Sequence, residues 1–142
     1  MTEIEFVVKG RPPRKDGANS FWSTDEANRI VELRKRAFQA LFDAQINLPI
    51  TSKVNLELVV YSPNITDRKN SRTYVGDMDT FIAGICDALQ AADKKAKINP
   101  IFNDIPEIDP SKSMIKDDSQ IVSIMAKKIT DTEERYSIIM GF

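Results

Sequence analysis

The chain contains no histidine. That absence removes Ser-His-Asp and Cys-His nucleophile pairs, and with them the hydrolases built on an imidazole base. It also removes the usual zinc sites, because the single cysteine, Cys86, cannot make a four-thiolate cage. One cysteine excludes an internal disulfide framework and fits the reducing cytoplasm. No apolar run approaches the ~18 residues of a membrane-spanning helix. The opening Met1-Thr2-Glu3-Ile4-Glu5 lacks the apolar stretch of a secretion signal. A cytoplasmic protein with no membrane partner is therefore expected. Strong net charge is missing too: 20 Lys+Arg stand against 21 Asp+Glu, a formal charge of -1. Catalytic chemistry, if present, must rest on carboxylates, Lys, Arg, Ser/Thr or Tyr. Carboxylates without imidazole favour a hard cation such as Mg²⁺ over Zn²⁺.

What is present is enough for one packed domain. The chain has 142 residues, of which 42% are hydrophobic, and domains typically run to about 100–150 residues. The charges are unevenly placed. Residues 1–42 and 53–72 are enriched in bases, whereas residues 77–118 hold nine acids against five bases. A basic surface beside an acidic centre suits an enzyme that grips phosphates and holds metal ions. Ordinary surface scatter gives the same counts.

Periodicity predicts the elements. Residues 2–9 alternate, with Ile4, Phe6 and Val8 on one face, and read as a strand. The Gly and adjacent Pro residues of 10–22 read as a loop. Ser23 and Glu26 have the spacing of a capping box. A helix then runs to about Ile46, with Ile30, Leu33, Ala37 and Leu41 as its stripe. Residues 53–61 alternate as a second strand. A polar loop over 62–76 precedes a helix from about Met78 or Asp79 to Ala92. The segment 93–116, broken by Pro100, Pro106 and Pro110, reads as a long inserted loop. Residues 119–129 and 134–141 read as two strands joined in a hairpin. The order β-α-β-α-β-β predicts a single α+β domain over 1–142: a small mixed sheet with two main helices on one face.

Two carboxylate motifs stand out. Asp77-Met78-Asp79 opens the second helix. An extended chain there puts both carboxylates on one side, able to share a cation, while an Asp at the N-cap would instead accept backbone N–H bonds. Asp117-Asp118 precedes the third strand. With 13 Asp in 142 residues, each motif is expected about once by chance, and neither is informative alone.

Their order and context are more specific. Asp77-x-Asp79 opens a helix containing Asp87-Ala88-Leu89, and Asp117-Asp118-Ser119-Gln120-Ile121 follows at a strand. This succession resembles the RusA family of Holliday junction resolvases, whose pattern is Asp-x-Asp-Asn, a helix with Asp-Ala-Leu, then Asp-Asp-x-Gln. The early strand, the basic Pro-Pro loop, the first helix and the closing strands fit in order. The resemblance implies a homodimeric α+β endonuclease that needs Mg²⁺ or Mn²⁺ and cuts four-way DNA junctions. Asp77, Asp79 and Asp118 would be its metal ligands and catalytic carboxylates. A divalent ion there would neutralise charge building on the phosphate and activate water. Three converging carboxylates would be costly without it. Arg11, Arg14, Lys15, Arg68, Lys69 and Arg72 are the candidate DNA phosphate contacts, needed to offset the acidic centre.

The sequence departs from the pattern in three places. Thr80 stands where the family has Asn. Ala83 stands where it has a catalytic Lys, one helical turn after the second Asp. The 93–116 segment is longer than in compact members. Lys116, Lys94 or Lys69 could supply the missing cation. Gln120 could orient a water or simply pair in the strand. Phe21, Trp22 and Tyr74 could stack on unpaired bases or pack beneath loops, and Cys86 reads as core. Ala83 motivates an alternative, a junction-binding protein that has lost cutting. The neutral charge and long loop motivate another, a protein-interaction module on the same fold.

Overall fold

A computed structural model describes residues 2–15 and 21–142. The chain forms β1 (Glu3–Lys9), α1 (Ala27–Asp43), β2 (Val54–Ser62), α2 (Met78–Ala88), β3 (Ile121–Thr130) and β4 (Arg135–Gly141). This is the expected single α+β domain: a four-stranded mixed sheet with two helices. The 16–20 part of the expected first loop lies outside the described residues. Among those residues no helix is long and apolar enough to cross a membrane.

Alternation builds the core. Ile4, Phe6 and Val8 of β1, Leu56, Leu58 and Val60 of β2, and Tyr136, Ile138 and Met140 of β4 are all buried on one face. Ile30, Leu33, Ala37 and Leu41 of α1 join them, with Phe81 and Ile85 of α2. Each fully buried large aliphatic side chain contributes about 1.5–3 kcal/mol, so this layer holds the sheet and both helices together.

The expected terminal hairpin is not formed. The strand order is β1-β4-β2-β3, with β3 parallel to β2, and β4 antiparallel to both β1 and β2. After β3 the chain crosses the end of β2, where Asp131 N–H donates to the Ser62 carbonyl (3.0 Å), and inserts as a central strand. Central placement suits β4, whose Tyr136, Ile138 and Met140 are buried between neighbours on both sides.

Helix boundaries moved for identifiable reasons. The Ser23 capping box is absent. Glu26 is the N-cap residue, and its carboxylate meets Arg14 and Arg29 rather than the helix backbone. Phe21 and Trp22 are buried just upstream, and Asn99 N–H donates to the Trp22 carbonyl (3.0 Å), so tertiary packing decides where α1 begins. At the far end α2 stops at Ala88, not Ala92. The Leu89 carbonyl accepts from Met114 and Ile115 N–H instead of continuing the helix.

The 93–116 segment is a packed structure. It contains short 3₁₀ turns at Pro100–Asp104 and Pro106–Ile108, and Phe102, Ile108, Met114 and Ile115 are buried. Arg34 of α1 organises it. This buried guanidinium donates to the carbonyls of Ala88 (2.7 Å), Gln90 (3.2 Å), Ile108 (3.2 Å), Asp109 (2.8 Å) and Lys112 (2.6 Å). It also stacks 5.3 Å from the Trp22 ring centroid and 5.1 Å from that of Phe38. Burial pulls its pKa down to about 10, and the five carbonyls replace the hydration it gave up. Trp22 and Phe21 thus pack rather than offer free stacking faces.

Candidate functional site: a carboxylate cleft along the second helix

Gly76 sets the approach to α2. Its φ is +122°, a region that favours glycine, and a Cβ there would lie 2.8 Å from the Phe81 ring. The next residue, Asp77, has the extended backbone of an N-cap residue, but its side chain makes no cap bond. Its carboxylate is instead held by the Arg68 guanidinium and by the Tyr74 hydroxyl, which donates at 2.8 Å. Lys128 donates to the same Tyr74 oxygen (3.1 Å). The Arg68 and Tyr74 hydrogen bonds hold the Asp77 carboxyl below its ordinary range.

A second carboxylate group lies toward the other end of the helix. A cleft of about 490 Å³ is lined by Lys15, Ala83, Cys86, Asp87, Asp118, Ile121 and Ile124. Asp118 reaches it from the 3₁₀ turn Asp118–Gln120, which Asp117 opens by accepting from Ser119 N–H at 2.8 Å. Gln120 fastens this turn, accepting from Asp117 N–H (2.8 Å) and donating to the carbonyls of Ile50 (2.7 Å) and Ser52 (3.0 Å). Asp118 N–H donates to the Gln90 side chain (3.2 Å), which ties the turn to the end of α2. Desolvation raises the Asp118 pKa, and Asp117 and Asp87 add to the rise, while Lys15 opposes it. The Cys86 thiol is pushed up to about 11, first by burial and then by Asp87 and Asp118. It is therefore a poor nucleophile at neutral pH.

Lys15 is built into the cleft by the backbone. Gly84 makes this possible: a Cβ at that position would lie 2.1 Å from the Pro13 carbonyl oxygen. The 11–15 strap therefore lies flat on α2. Lys15 N–H donates to the Thr80 carbonyl (3.1 Å), and the Lys15 ammonium pairs with Asp87. Arg14 and its backbone N–H anchor the strap to Glu26, the N-cap residue of α1.

Helical spacing places Asp79, Ala83 and Asp87 at i, i+4 and i+8, so Asp79 stands on the cleft side of α2, about 6 Å along the axis from residue 83. Asp79 is exposed, and no hydrogen bond or ion pair holds its carboxylate among the described residues. Asp77 and Asp118 share no partner. The electrostatic neighbours of Asp77 are Arg68, Tyr74 and Lys128, and those of Asp118 are Asp117, Asp87 and Lys15. From Asp77 to Asp87, the α2 carboxylate beside Asp118, the helix advances about 15 Å. Among the described residues no three carboxylate or thiol groups are placed to hold one metal ion. The three-Asp cage expected for Mg²⁺ or Mn²⁺ is thus not assembled in this conformation. Asp87, quoted in the motif helix without a site role, is the second carboxylate of the cleft; its i+8 relation to Asp79 was the available signal.

The expected phosphate contacts divide. Arg11 is a structural tie, donating to Glu134 (2.7 Å) and to the carbonyls of Tyr74 (2.9 Å) and Thr73 (3.3 Å). Lys15 and Arg68 are paired with Asp87 and Asp77. Arg14 is half exposed beside Glu26. Lys69 and Arg72 stand exposed, with no side-chain partner among the described residues. Lys94 and Lys116, considered as replacements for a helix lysine, do not line the cleft; Lys15 does.

No protein-family model matches this sequence, and no curated protein matches it.

Proposed function

We propose that this chain is a RusA-like endonuclease acting on branched DNA, with a four-way junction as its substrate. The observation that carries the reading is the cleft itself. Asp118, one of the three carboxylates the motif order singles out, lines it together with Asp87, and Asp79 lies on the same side of α2 nearer the helix start, about 12 Å along the axis from Asp87. Lys15 lies over that side, and Lys69 and Arg72 are free on a loop near its start. A strand lying along α2 would meet cations that attract phosphate and carboxylates able to act on it.

The carboxylates as they stand do not gather round a shared Mg²⁺ or Mn²⁺ among the described residues, and the Asp77 carboxylate is occupied by Arg68 and Tyr74. That observation, with Ala83 in the lining of the cleft, favours a second reading in which the chain binds a junction without cutting it. One experiment separates the two. A labelled synthetic four-way junction is incubated with the protein in Mg²⁺, in Mn²⁺ and in chelator, using wild type, Asp79→Asn and Asp118→Asn. The nuclease reading expects metal-dependent nicks that fall on the order of 10²-fold or more in either variant. Tight, junction-selective binding with no nick in any metal supports the binding reading. Absence of both, at low salt where phosphate contacts are strongest, removes DNA from the account.

A further inference from the structure

A second groove, of about 870 Å³, lies between α1 and the 105–112 stretch and shares no lining residue with the carboxylate cleft. Its apolar wall is Phe38, Phe42, Ile46, Leu48, Ile105 and Ile108. Phe42 is 79% and Leu48 38% exposed, large apolar surfaces that leave water only when something covers them. The lining is sorted along the helix. Glu32, Lys35 and Arg36 come first, and Phe42 lies about 15 Å along the axis from Glu32, with Ile46 and Leu48 beyond the helix end. Lys112 belongs to the charged end, because its carbonyl accepts from Arg34 (2.6 Å). Glu32 is paired with Lys35 at 3.9 Å. Arg36 and Lys112 have no side-chain hydrogen bond or ion pair among the described residues, and Glu107 is the remaining acid of the lining. Arg34 fixes both walls, stacking 5.1 Å from the Phe38 centroid and donating to the Ile108 carbonyl (3.2 Å).

We propose that this groove binds an acidic peptide segment of another protein, one in which a run of carboxylates adjoins a short apolar block. The carboxylates meet Arg36 and Lys112, and the apolar block covers Phe42 and Leu48. Two unpaired bases beside one unpaired acid make the charged end attractive to anions. The aliphatic lining of the other end takes Leu or Phe side chains, whereas sugar and phosphate would lie against apolar carbon there with no cation to meet. An extended peptide covers 15 Å with about five residues, so a hexapeptide is long enough. Because Arg34 holds both walls in place, little ordering is needed when the peptide arrives. The inference uses none of the cleft residues and is independent of any DNA activity.

Fluorescence anisotropy on the full chain tests it, with the labelled peptides Glu-Glu-Glu-Leu-Phe-Leu and Leu-Phe-Leu-Glu-Glu-Glu, which present the two blocks in either chain direction. One of them should bind with a dissociation constant on the order of 10 μM, and added salt should weaken it. The alternating peptide Glu-Leu-Glu-Phe-Glu-Leu has the same composition but cannot place charge and apolar surface at separate ends, and it should bind about tenfold more weakly. Arg36→Glu and Lys112→Glu should each cost about tenfold, and Phe42→Asp about tenfold or more. All three side chains are exposed, so thermal melts of the variants should match wild type. No binding of either block peptide at about 1 mM would overturn the inference. So would equal binding of the alternating peptide or of Lys-Lys-Lys-Leu-Phe-Leu, or indifference to Phe42→Asp. Displacement of the peptide by oligothymidylate would assign the groove to nucleic acid instead, and self-association abolished by Phe42→Asp would assign it to a contact between copies; either result overturns the proposal.

Discussion

The two ends of α2 carry carboxylates under opposite conditions. At the start, Asp77 is held by Arg68 and Tyr74, and its ionised form is favoured. Toward the end, Asp118 is partly desolvated beside Asp117 and Asp87, with Lys15 as counter-charge, and its ionised form is disfavoured. The residue type is the same, and the surroundings decide its protonation. The supports differ as well. The first end rests on an exposed arginine, whose side chain is 69% accessible. The second rests on the backbone strap seated at Gly84 and on the buried Arg34, which fixes Ala88 and Gln90. The cleft end is therefore the more strongly built one, although the Asp-x-Asp motif draws attention to the other.

This contrast can be broken at several points. Arg34→Met should have the largest effect, because it leaves five carbonyls without their donor. A loss of about 3–5 kcal/mol is expected by chemical denaturation, along with loosening of the Gln90–Asp118 contact. A variant as stable as wild type would show that the carbonyls find other partners. Gly84→Ala comes next. Helix propensity alone would favour it by about 1 kcal/mol, but the Pro13 carbonyl stands where the methyl must go. A net loss of roughly 1–3 kcal/mol follows from overpacking, with Lys15 displaced from the cleft. A rise in melting temperature would mean that the strap is not seated there. Lys15→Ala breaks a half-buried ion pair and Arg68→Ala an exposed one, and each should change stability by no more than about 1 kcal/mol. Their signature is in carboxyl titration followed by NMR. Asp118 should rise further without Lys15, Asp77 should return toward its ordinary value without Arg68, and neither substitution should move the other carboxyl. A shift of both by one substitution would join the two ends electrostatically.

The smallest effect is the pH dependence of stability. Asp77 has a depressed folded pKa, so its contribution is present above the ordinary carboxyl pKa and is lost as pH falls through the folded one. Asp118 has a raised folded pKa, so its contribution is present below the ordinary value and is lost as pH rises through the folded one. Asp77→Asn should therefore flatten the acid limb of a melting-temperature profile, and Asp118→Asn should change it in the opposite sense. Equal and parallel profiles would erase the distinction between the two ends.

The sequence carried the alternating strands and the helix stripes, because burial on one face imposes a period that survives without coordinates. Ile4, Phe6 and Val8, or Val54, Leu56 and Leu58, could be assigned to one face from spacing alone. Pairing could not be read this way. Nothing local in Arg135–Gly141 says that it lies between β1 and β2 instead of beside β3. Proline spacing made 93–116 look open, while the ligand that packs it, Arg34, sits about sixty residues or more upstream. At the site, the motif order pointed to Asp77, Asp79 and Asp118, of which Asp118 lines the cleft. That Asp87 joins it there, and that Asp77 pairs with Arg68 instead, are contacts the motifs do not encode.

The sequence by itself narrowed the classes of chemistry open to this protein, since a chain without histidine and with one thiol is left with carboxylates, Lys, Arg, Ser/Thr and Tyr. It also determined the α+β layering, because hydrophobic period dictates which face of each element leaves water. Only the tertiary structure decided the strand order, the end of α2 and the partner of each carboxylate. Those are contacts between residues far apart in the chain. Their free energy depends on distance and solvent exposure, which composition and spacing do not encode.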